Sequence, residues 1–499
     1  MSVLSIGALS VVLAELGLRA LYVHARARTE GIPVLYERSW WAAPPWTRYG
    51  SVLRTNADGS RAMRADARRT YINLFGPIDD LADVDRMLMD LFPETPAWAE
   101  SRDSWVLQTN SEGFRGPEPP GEKPPGSLRI VTLGDSWTVG VNVPLEATWP
   151  ARLGSHLAEA SARPVEVVNR GVIGAGLTTG LRDLDAALAL SPDVVVIAYA
   201  QNDELRVQRG RWRPRRPLGR KRDWIRDSEL ARLWRYLVRP AGELPSDTIR
   251  SAMTGPVDPG DENKCIREDP MQSAYGKSLG AMVDRVRAAG AIPVLLYPNV
   301  AEFRSHCVRD IVRAVAEDRG VSLVDAARVL HQSEELAAAS FTRQAGLHAP
   351  GRATGRGDDG SPRVIFRVAA GALASPVYLM GHGPELGDFK PNRLPMFDDG
   401  SHGDEVAGDG IWSREVSFPS PGWRGYAYTA GADAGEWKGI ESYRSRRLEV
   451  PPSGTWFLAV EEFGRRRMRS DPSHPDEAGL DAIAAALAAS ITAGGVPER

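Results

Sequence analysis

The chain has 499 residues, too many for one typical hydrophobic core, which indicates two domains or one domain with a large insertion. Its hydrophobic content of 42% and charged content of 25% are ordinary for a soluble globular protein. The net charge of −3 provides no overall attraction to nucleic acid, so no nucleic-acid partner is predicted.

Residues 1–28 are predicted to be a signal anchor or a signal peptide. The stretch from Val3 to Val23 is mostly apolar and basic residues follow it closely, a pattern typical of export or of anchoring by an N-terminal helix. The alternative is a buried amphipathic helix that carries Glu15 and Arg19 as an i,i+4 pair on its wet face. Export predicts an extracytoplasmic protein, membrane-anchored or secreted, in the periplasm or at the cell surface.

The next segment, residues 29–127, shows no sustained hydrophobic period. It is interpreted as an N-terminal extension that packs on the domain that follows. The chain has only two cysteines, Cys265 and Cys307, which could pair if the chain is exported. Neither has His or Cys neighbours at the spacing of metal ligands, so no metal or other cofactor is predicted.

From residue 128 onward, strands alternate with helices. This alternation predicts a parallel sheet covered by helices on both faces, a three-layer α/β/α fold with five parallel strands. The predicted strands span 128–133, 164–169, 193–199, 291–297 and 321–325. The predicted helices span 146–160, 177–190, 275–289, 307–318, 326–339 and 475–489. The domain is therefore predicted to occupy 128–340 and, after an insertion, 455–499.

Two stretches interrupt the alternation. Residues 204–270 are long for a connection, and their first part is rich in arginine with interleaved tryptophan. Such a loop could hold an anionic glycan or touch lipid headgroups, and the alternative is a solvated loop packed by a few aromatic side chains. Residues 341–454 contain strand-like runs separated by turns rich in Gly, Asp and Pro, which predict an inserted all-β sandwich.

A serine and a histidine stand where acyl-transfer chemistry would need them. Ser136 follows the apolar run 130–133, where a buried strand stops and a helix can begin, so its hydroxyl and its backbone N–H would both face a substrate. Asp471 and His474 lie three residues apart, close enough for the carboxylate to orient the imidazole. The alternative reading takes Ser136 and Asp471 as helix N-caps and Asn202 as part of a turn.

Four short blocks follow one another along the chain. They are Gly134-Asp135-Ser136, Asn169-Arg170-Gly171-Val172-Ile173-Gly174, Gln201-Asn202-Asp203 and Asp471-Pro472-Ser473-His474. In this order they resemble the signature blocks of the SGNH (GDSL-type) hydrolase family, whose fold is flavodoxin-like. The upstream segment Asn110 to Gly116 is similar to the lead-in of bacterial members.

The resemblance implies a role for each site residue. Ser136 would be the nucleophile, His474 the general base and Asp471 the residue that orients His474. The oxyanion hole would be formed by the backbone N–H groups of Ser136 and Gly174 and by the side-chain amide of Asn202. No metal or organic cofactor is implied. Trp137 directly after the serine departs from the small or phenyl residue usual in the family, and is expected to narrow the acyl pocket.

The predicted insertion resembles a starch-binding-type carbohydrate module. In such modules exposed tryptophans bind glucan, but here Phe389 stands at one of those positions and Ile440 about where the other is expected. Trp423 and Trp437 are candidate stacking platforms, with a core role as the alternative. The acidic turn from Asp398 to Asp409 has enough oxygen ligands for Ca²⁺, although its spacing is not that of an EF-hand, and a solvated turn is the alternative.

Together these features predict a serine esterase that hydrolyses an O-acyl, and specifically O-acetyl, ester on a carbohydrate through an acyl-serine intermediate. The first alternative is an acyltransferase with the same triad. The second is a surface-anchored glycan-binding protein with an inert hydrolase domain, and a lipase for long acyl chains stays open.

Overall fold

The structure is a computed structural model of the chain. It describes residues 3–28, 34–35, 52–56, 61–72, 78–89, 104–214, 228–238, 245–254, 269–299, 307–353, 360–370, 376–442, 445–464, 469–471 and 474–494. Most of the predicted basic loop, including Arg215 to Arg222, and also Cys265, lie outside these ranges.

The N-terminal segment forms one long helix, α1 (Val3–Arg28). Arg19 pairs with Glu15 at 2.8 Å, as expected of an i,i+4 pair. Tyr22 and Ala25 are buried, but most of the apolar stretch is not buried as the amphipathic alternative would require, since Val11 and Leu13 are 60% and 59% exposed. Within the described residues, no helix has the length and apolar character needed to cross a membrane.

The N-terminal extension contributes to two different parts of the molecule. Its elements are β1 (Val34–Leu35), β2 (Leu53–Thr55), β3 (Arg61–Met63), β4 (Arg68–Ile72), β5 (Ile78–Asp80), α2 (Leu81–Met89) and β6 (Ser104–Gln108). Strands β1, β4 and β6 form a small sheet, and β2 and β3 form a hairpin. Val52, Met63 and Trp105 join the same apolar cluster as Leu133 of the following domain, which agrees with the expected packing. Strand β5 instead pairs with residues 438–440, far along the chain. The extension therefore also pairs with the predicted insertion, which was not expected.

A five-stranded parallel sheet lies at the centre of the molecule, and this confirms the predicted fold class. Its strands are β7 (Leu128–Gly134), β8 (Val165–Gly171), β9 (Val194–Ala198), β10 (Ile292–Tyr297) and β11 (Ser322–Asp325), in the order β11-β10-β9-β7-β8. Strands β7 and β9 are buried along their whole length because helices cover both faces of the sheet. The carboxyl ends of all five strands lie at one edge, where open α/β sheets bind ligands.

Nine helices are described between β7 and the β-rich region. They are α3 (Ser136–Val139), α4 (Trp149–Ala160), α5 (Leu177–Leu188), α6 (Glu204–Gln208), α7 (Glu229–Leu237), α8 (Pro245–Thr254), α9 (Ala274–Ala288), α10 (Cys307–Arg319) and α11 (Ala326–Gln344). Of these, α7 packs on α1 and α8 packs on α2, away from the central sheet. Apolar side chains of α5, α9 and α10 pack on one face of the sheet. Those of α4 and α11, together with the C-terminal helix, pack on the other. Cys307, at the start of α10, is disulfide-bonded.

The region after α11 is rich in β-strands, as predicted. They are β12 (Gly351–Arg352), β13 (Arg363–Ala369), β14 (Tyr378–Gly381), β15 (Leu394–Pro395), β16 (Ile411–Ser417), β17 (Gly422–Thr429), β18 (Lys438–Ile440), β19 (Arg446–Val450), β20 (Thr455–Phe457) and β21 (Glu461–Glu462). They form two sheets, with one apolar cluster drawn from both. Strands β20 and β21 both pair with β13, so this region extends beyond the expected end at residue 454.

The chain then returns to the central domain through β22 (Arg469–Asp471), β23 (His474–Pro475) and α12 (Glu477–Ala493). The helix begins after Asp476, whose carboxylate accepts a hydrogen bond from the Gly479 N–H at 2.8 Å. The expected start at Pro475 was wrong by two residues because Asp476 supplies the N-cap. Asp471 is therefore not the cap of this helix.

Candidate active site

The turn between β7 and α3 places a serine at the carboxyl edge of the sheet. Asp135 is the N-cap of α3, and its carboxylate accepts a hydrogen bond from the Trp137 N–H at 3.0 Å. Ser136 is consequently the first helical residue rather than the cap, so its own N–H is one of the unpaired donors at the start of a helix. Its side chain keeps 6% of its surface exposed.

Two glycines allow α3 to lie against the strand ends. A Cβ on Gly171 would lie 2.6 Å from the backbone nitrogen of Val139, and a Cβ on Gly134 would lie 2.9 Å from the carbonyl oxygen of Ala198. Neither backbone contact leaves room for a side chain. The position of Ser136 above the sheet therefore depends on glycine at the end of both β7 and β8.

His474 is brought to Ser136 from the far end of the chain. Its Nε2 lies 2.8 Å from the Ser136 Oγ, although the residues are 338 positions apart, and the imidazole is buried. This distance is that of a hydrogen bond between a nucleophile and its general base. The backbone of Asp471 pairs with His474 in the β22–β23 ladder. The Asp471 side chain lies outside the described residues, so its role as the orienting group stays a prediction.

Two of the three expected oxyanion donors have free N–H groups. Among the residues that the structure describes, neither the Ser136 N–H nor the Gly174 N–H has a hydrogen-bond partner. Gly174 has φ +68°, in the left-handed region that favours glycine. Asn202 Nδ2 donates to the Asp135 carboxylate at 3.1 Å and to the Ala175 carbonyl at 2.9 Å.

Asn202 therefore connects the nucleophile turn to the Gly174 turn. Both of its N–H groups have partners in the described structure, so donation to an oxyanion would require one of these bonds to be released. Its predicted role as the third donor stays a prediction.

Other residues of the signature blocks stabilise the site without facing a substrate. The Asp203 carboxylate accepts hydrogen bonds from the Leu177 N–H at 2.7 Å and from the Trp212 indole at 2.8 Å, so it caps α5 from outside. The indole of Trp137 is buried in the apolar cluster beside α4 and donates to Gln201 at 2.8 Å. The expectation that Trp137 narrows an acyl pocket is not supported, because its ring packs in the core.

Sequence reasoning passed over Arg115, a buried residue that supports the nucleophile helix. Its guanidinium donates to the carbonyls of Val106, Val139, Gly140 and Val143. These bonds join the lead-in segment to the end of α3. The sequence places Arg115 in the lead-in segment Asn110 to Gly116. Nothing in the sequence indicates that its guanidinium would bind backbone carbonyls.

Asp135 is the second residue whose importance only the structure reveals. Complete burial, partly offset by the Trp137 N–H bond and by His474, raises the pKa of its carboxyl group to about 7 from 3.8. The carboxylate beside the nucleophile therefore changes charge near neutral pH.

This raised pKa predicts a specific dependence of stability on pH. Between about pH 4 and the folded-state pKa of about 7, the folded protein holds a proton on Asp135 that the unfolded chain has released. The stabilisation is fully present below the unfolded pKa and is lost as the pH rises to the folded pKa. The free energy of unfolding should therefore fall by about 1.4 kcal/mol per pH unit relative to Asp135→Asn, which keeps an oxygen for the Trp137 N–H. Urea unfolding at several pH values measures this slope, and parallel curves for the two proteins would contradict it.

The acidic turn of the β-rich region brings three carboxylates together, far along the chain from Asp135 and Ser136. Oxygens of Asp398, Asp404 and Asp409 lie within 4.8 Å of one another. Asp398 already accepts hydrogen bonds from the N–H groups of Gly408, Asp409 and Gly410. These bonds account for the arrangement as a turn, and the cluster by itself does not define a cation site.

Comparison with known proteins agrees with this geometry. Residues 132–349 match the model of the GDSL-like lipase/acylhydrolase family. An arylesterase from Vibrio mimicus is 36% identical over 81 residues, which cover 16% of this chain and 40% of that protein. The chain thus spans less than half the length of this curated relative.

Solved structures of esterases are more distant. The psychrotrophic esterase EstA from Pseudoalteromonas sp. is 18% identical with a TM-score of 0.23, covering 40% of this chain and 76% of that one. A two-domain esterase active on acetylated mannans is 12% identical with a TM-score of 0.25, covering 40% of this chain and 37% of that one. Likenesses this low support no conclusion about substrate.

A serine–histidine pair lies at the carboxyl edge of a parallel sheet in a chain whose residues 132–349 match this family model. This part of the chain is similar to the GDSL/SGNH hydrolases, which are ester-hydrolysing enzymes. The resemblance of the insertion to a starch-binding-type module stays a prediction.

Proposed function

We propose that this protein is a serine esterase that removes an acyl group, specifically an acetyl group, from an oxygen of a carbohydrate. The observation that carries the proposal is the 2.8 Å contact between the Ser136 Oγ and the His474 Nε2 beside two unpaired backbone N–H groups. The same constellation serves nucleophilic acyl transfer on several unrelated folds.

The residues account for each proton and bond in the reaction. His474 Nε2 takes the proton of Ser136 as the Oγ attacks the ester carbonyl carbon, and the N–H groups of Ser136 and Gly174 donate to the oxyanion. The tetrahedral intermediate collapses, the C–O bond to the alcohol breaks and His474 returns the proton to the leaving alcohol. Water, deprotonated by the same imidazole, then releases the acid and restores Ser136.

The carbohydrate part of the proposal rests on the β-rich region. Phe389 and Ile440, which replace the usual sugar-binding tryptophans, are both buried and cannot serve as platforms. Trp437 is half-buried and packs on an apolar cluster, and Trp423 is half-buried on β17. Sugar binding by this region would therefore depend on the exposed part of Trp423.

The proposed location is extracytoplasmic, with α1 as the attachment to a membrane. Two observations favour this proposal. Cys307 is disulfide-bonded, and disulfides persist in oxidising compartments. The exposed apolar side chains of α1 and of the adjoining α7, among them Leu13 and Trp234, are costly in water and would gain from contact with lipid.

Labelling with a fluorophosphonate probe tests the nucleophile directly. The wild-type protein is expected to form one stable adduct, and mass spectrometry of peptides should locate it on Ser136. A Ser155→Ala variant, which removes an exposed hydroxyl on α4, should label at the wild-type rate. The absence of an adduct, or an adduct on another serine, would contradict a serine esterase.

Product analysis then separates hydrolysis from transfer. The protein is expected to release acetate from an acetylated polysaccharide and to prefer 4-nitrophenyl acetate to long-chain esters. Formation of an acetylated glycan in preference to free acetate would identify an acyltransferase instead.

A further inference from the structure

Arg61, in strand β3 of the N-terminal extension, lies over the glycine of the predicted oxyanion hole. A Cβ added to Gly174 would lie 3.1 Å from the Arg61 Cζ and 3.5 Å from its Cδ, with the Nη1 nearer still. The guanidinium therefore occupies the space that the missing side chain of Gly174 leaves. Since the Gly174 N–H is one of the two proposed oxyanion donors, this cation lies beside the proposed reacting site.

The hairpin that carries Arg61 is held firmly against the central domain. Met63 of β3 and Val52 just before β2 are buried in the cluster that includes Val172 and Ile173, the two residues before Gly174. The Arg64 N–H donates to the Val52 carbonyl at 2.7 Å. The backbone of Arg61 is thus fixed relative to Gly174, while its side chain is exposed.

Within the described part of the chain, no acidic residue neutralises this guanidinium. Among the residues that the structure describes, the Arg61 side chain has neither a hydrogen-bond nor an ion-pair partner. Arg170, by contrast, belongs to the signature block Asn169 to Gly174 and forms ion pairs with Asp183 and Glu112. An unpaired cation at the edge of a site attracts anions and adds to the local positive potential.

Three further arginines, Arg206, Arg209 and Arg211, follow Asn202 closely in the chain and are all exposed. Guanidinium groups bind carboxylate and phosphate oxygens through two parallel hydrogen bonds.

We propose that Arg61 is a specificity-determining residue that binds an anionic oxyacid group of the substrate, a carboxylate or a phosphate, next to the ester that Ser136 attacks. This inference rests on the proposed esterase function and deepens it. It assigns to the N-terminal extension a direct part in substrate choice. In the proposed reaction the backbone N–H groups of Ser136 and Gly174 donate to the oxyanion. The Arg61 guanidinium is therefore available to bind an anionic group that the substrate carries before it reacts.

Three aryl acetates that differ in charge test the proposal. They are 4-acetoxybenzamide, which is neutral, 4-acetoxybenzoate, which carries a carboxylate, and 4-acetoxyphenyl phosphate. The proteins compared are the wild type, Arg61→Gln, Arg61→Lys and the control Arg68→Gln, which removes the same charge from an exposed residue of β4. The phosphate and carboxylate esters separate the two sources of anionic oxygen.

Arg61→Gln is expected to lower kcat/KM for at least one anionic ester by about tenfold or more, mainly through KM, because a charge-assisted contact is lost. Activity on the neutral ester should stay within about twofold, and Arg61→Lys should keep part of the preference. Added salt should weaken the preference of the wild type, because Arg61 is exposed. Arg68→Gln should behave as the wild type.

Two results would overturn the role of Arg61 while leaving the esterase intact. One is an equal loss on neutral and anionic esters in Arg61→Gln, which would make Arg61 part of the oxyanion hole or of the fold. The other is no loss on any ester. A wild-type protein that fails to hydrolyse even the neutral ester would instead contradict the proposed function.

Discussion

Replacement of Ser136 by alanine is expected to lower kcat for ester hydrolysis by a factor on the order of 10⁴ to 10⁶. The variant lacks the only oxygen that accepts the acyl group in the proposed reaction, while the backbone N–H groups of Ser136 and Gly174 stay in place. The small change should leave the fold intact because Ser136 Oγ bonds His474 and does not cap α3. Steady-state hydrolysis of 4-nitrophenyl acetate measures the effect.

His474→Ala and the double variant Ser136→Ala/His474→Ala test whether Ser136 and His474 act together. Because nucleophile and base act together, the double variant should be about as slow as Ser136→Ala alone. The Ser155→Ala control should keep wild-type activity. If Ser136→Ala hydrolysed the ester at the parental rate, or if the two losses simply multiplied, the proposed mechanism would be wrong.

Arg115→Ala is expected to destabilise the protein by about 4 kcal/mol or more and to reduce activity with it. The substitution leaves three buried backbone carbonyls and one half-buried carbonyl without this donor, and each buried unpaired polar group costs roughly 1–3 kcal/mol. Three of these carbonyls belong to the end of α3 and the turn after it, so the helix that starts at Ser136 would lose its support. Burial lowers the pKa of the guanidinium to about 10, which still leaves it charged at neutral pH.

Arg163→Ala provides a matched control for that measurement. Arg163 donates to the carbonyls of Gly126 and Ser127, but its side chain is partly exposed and water can replace those bonds. Its loss should cost about 1 kcal/mol in urea unfolding. Equal losses for the two variants would show that burial of Arg115 does not determine its contribution.

Much of the α/β domain follows from local patterns. Apolar runs such as 194–198 predict buried strands, and amphipathic periods predict the helices between them, because a parallel sheet requires this alternation. The serine at the end of β7 and the histidine near the C-terminus were found from short motifs, and the structure brings them to 2.8 Å. Pro475 predicts a helix start at that residue, because proline favours the first turn, but α12 begins two residues later since Asp476 supplies the cap.

The contacts that connect the N-terminal extension to the rest could not be predicted in this way. Strand β5 pairs with β18 across more than half of the chain, and two-residue or three-residue strands have too little pattern to be recognised. Trp137 was expected at an acyl pocket from its place beside the serine, but consecutive residues of a helix point about 100° apart, and the Trp137 ring packs in the core.

The sequence by itself determined which residues are the candidates for the proposed chemistry, because the nucleophile turn and the Asp471–His474 segment are each local arrangements that need particular residue types at particular spacings. Only the tertiary structure decided the environment of that chemistry. The pKa of Asp135 depends on complete burial, Arg115 finds its carbonyls on a different element, and Arg61 reaches Gly174 from a hairpin that precedes the domain. Burial and charge environment arise from residues distant in the chain, so no local pattern encodes them.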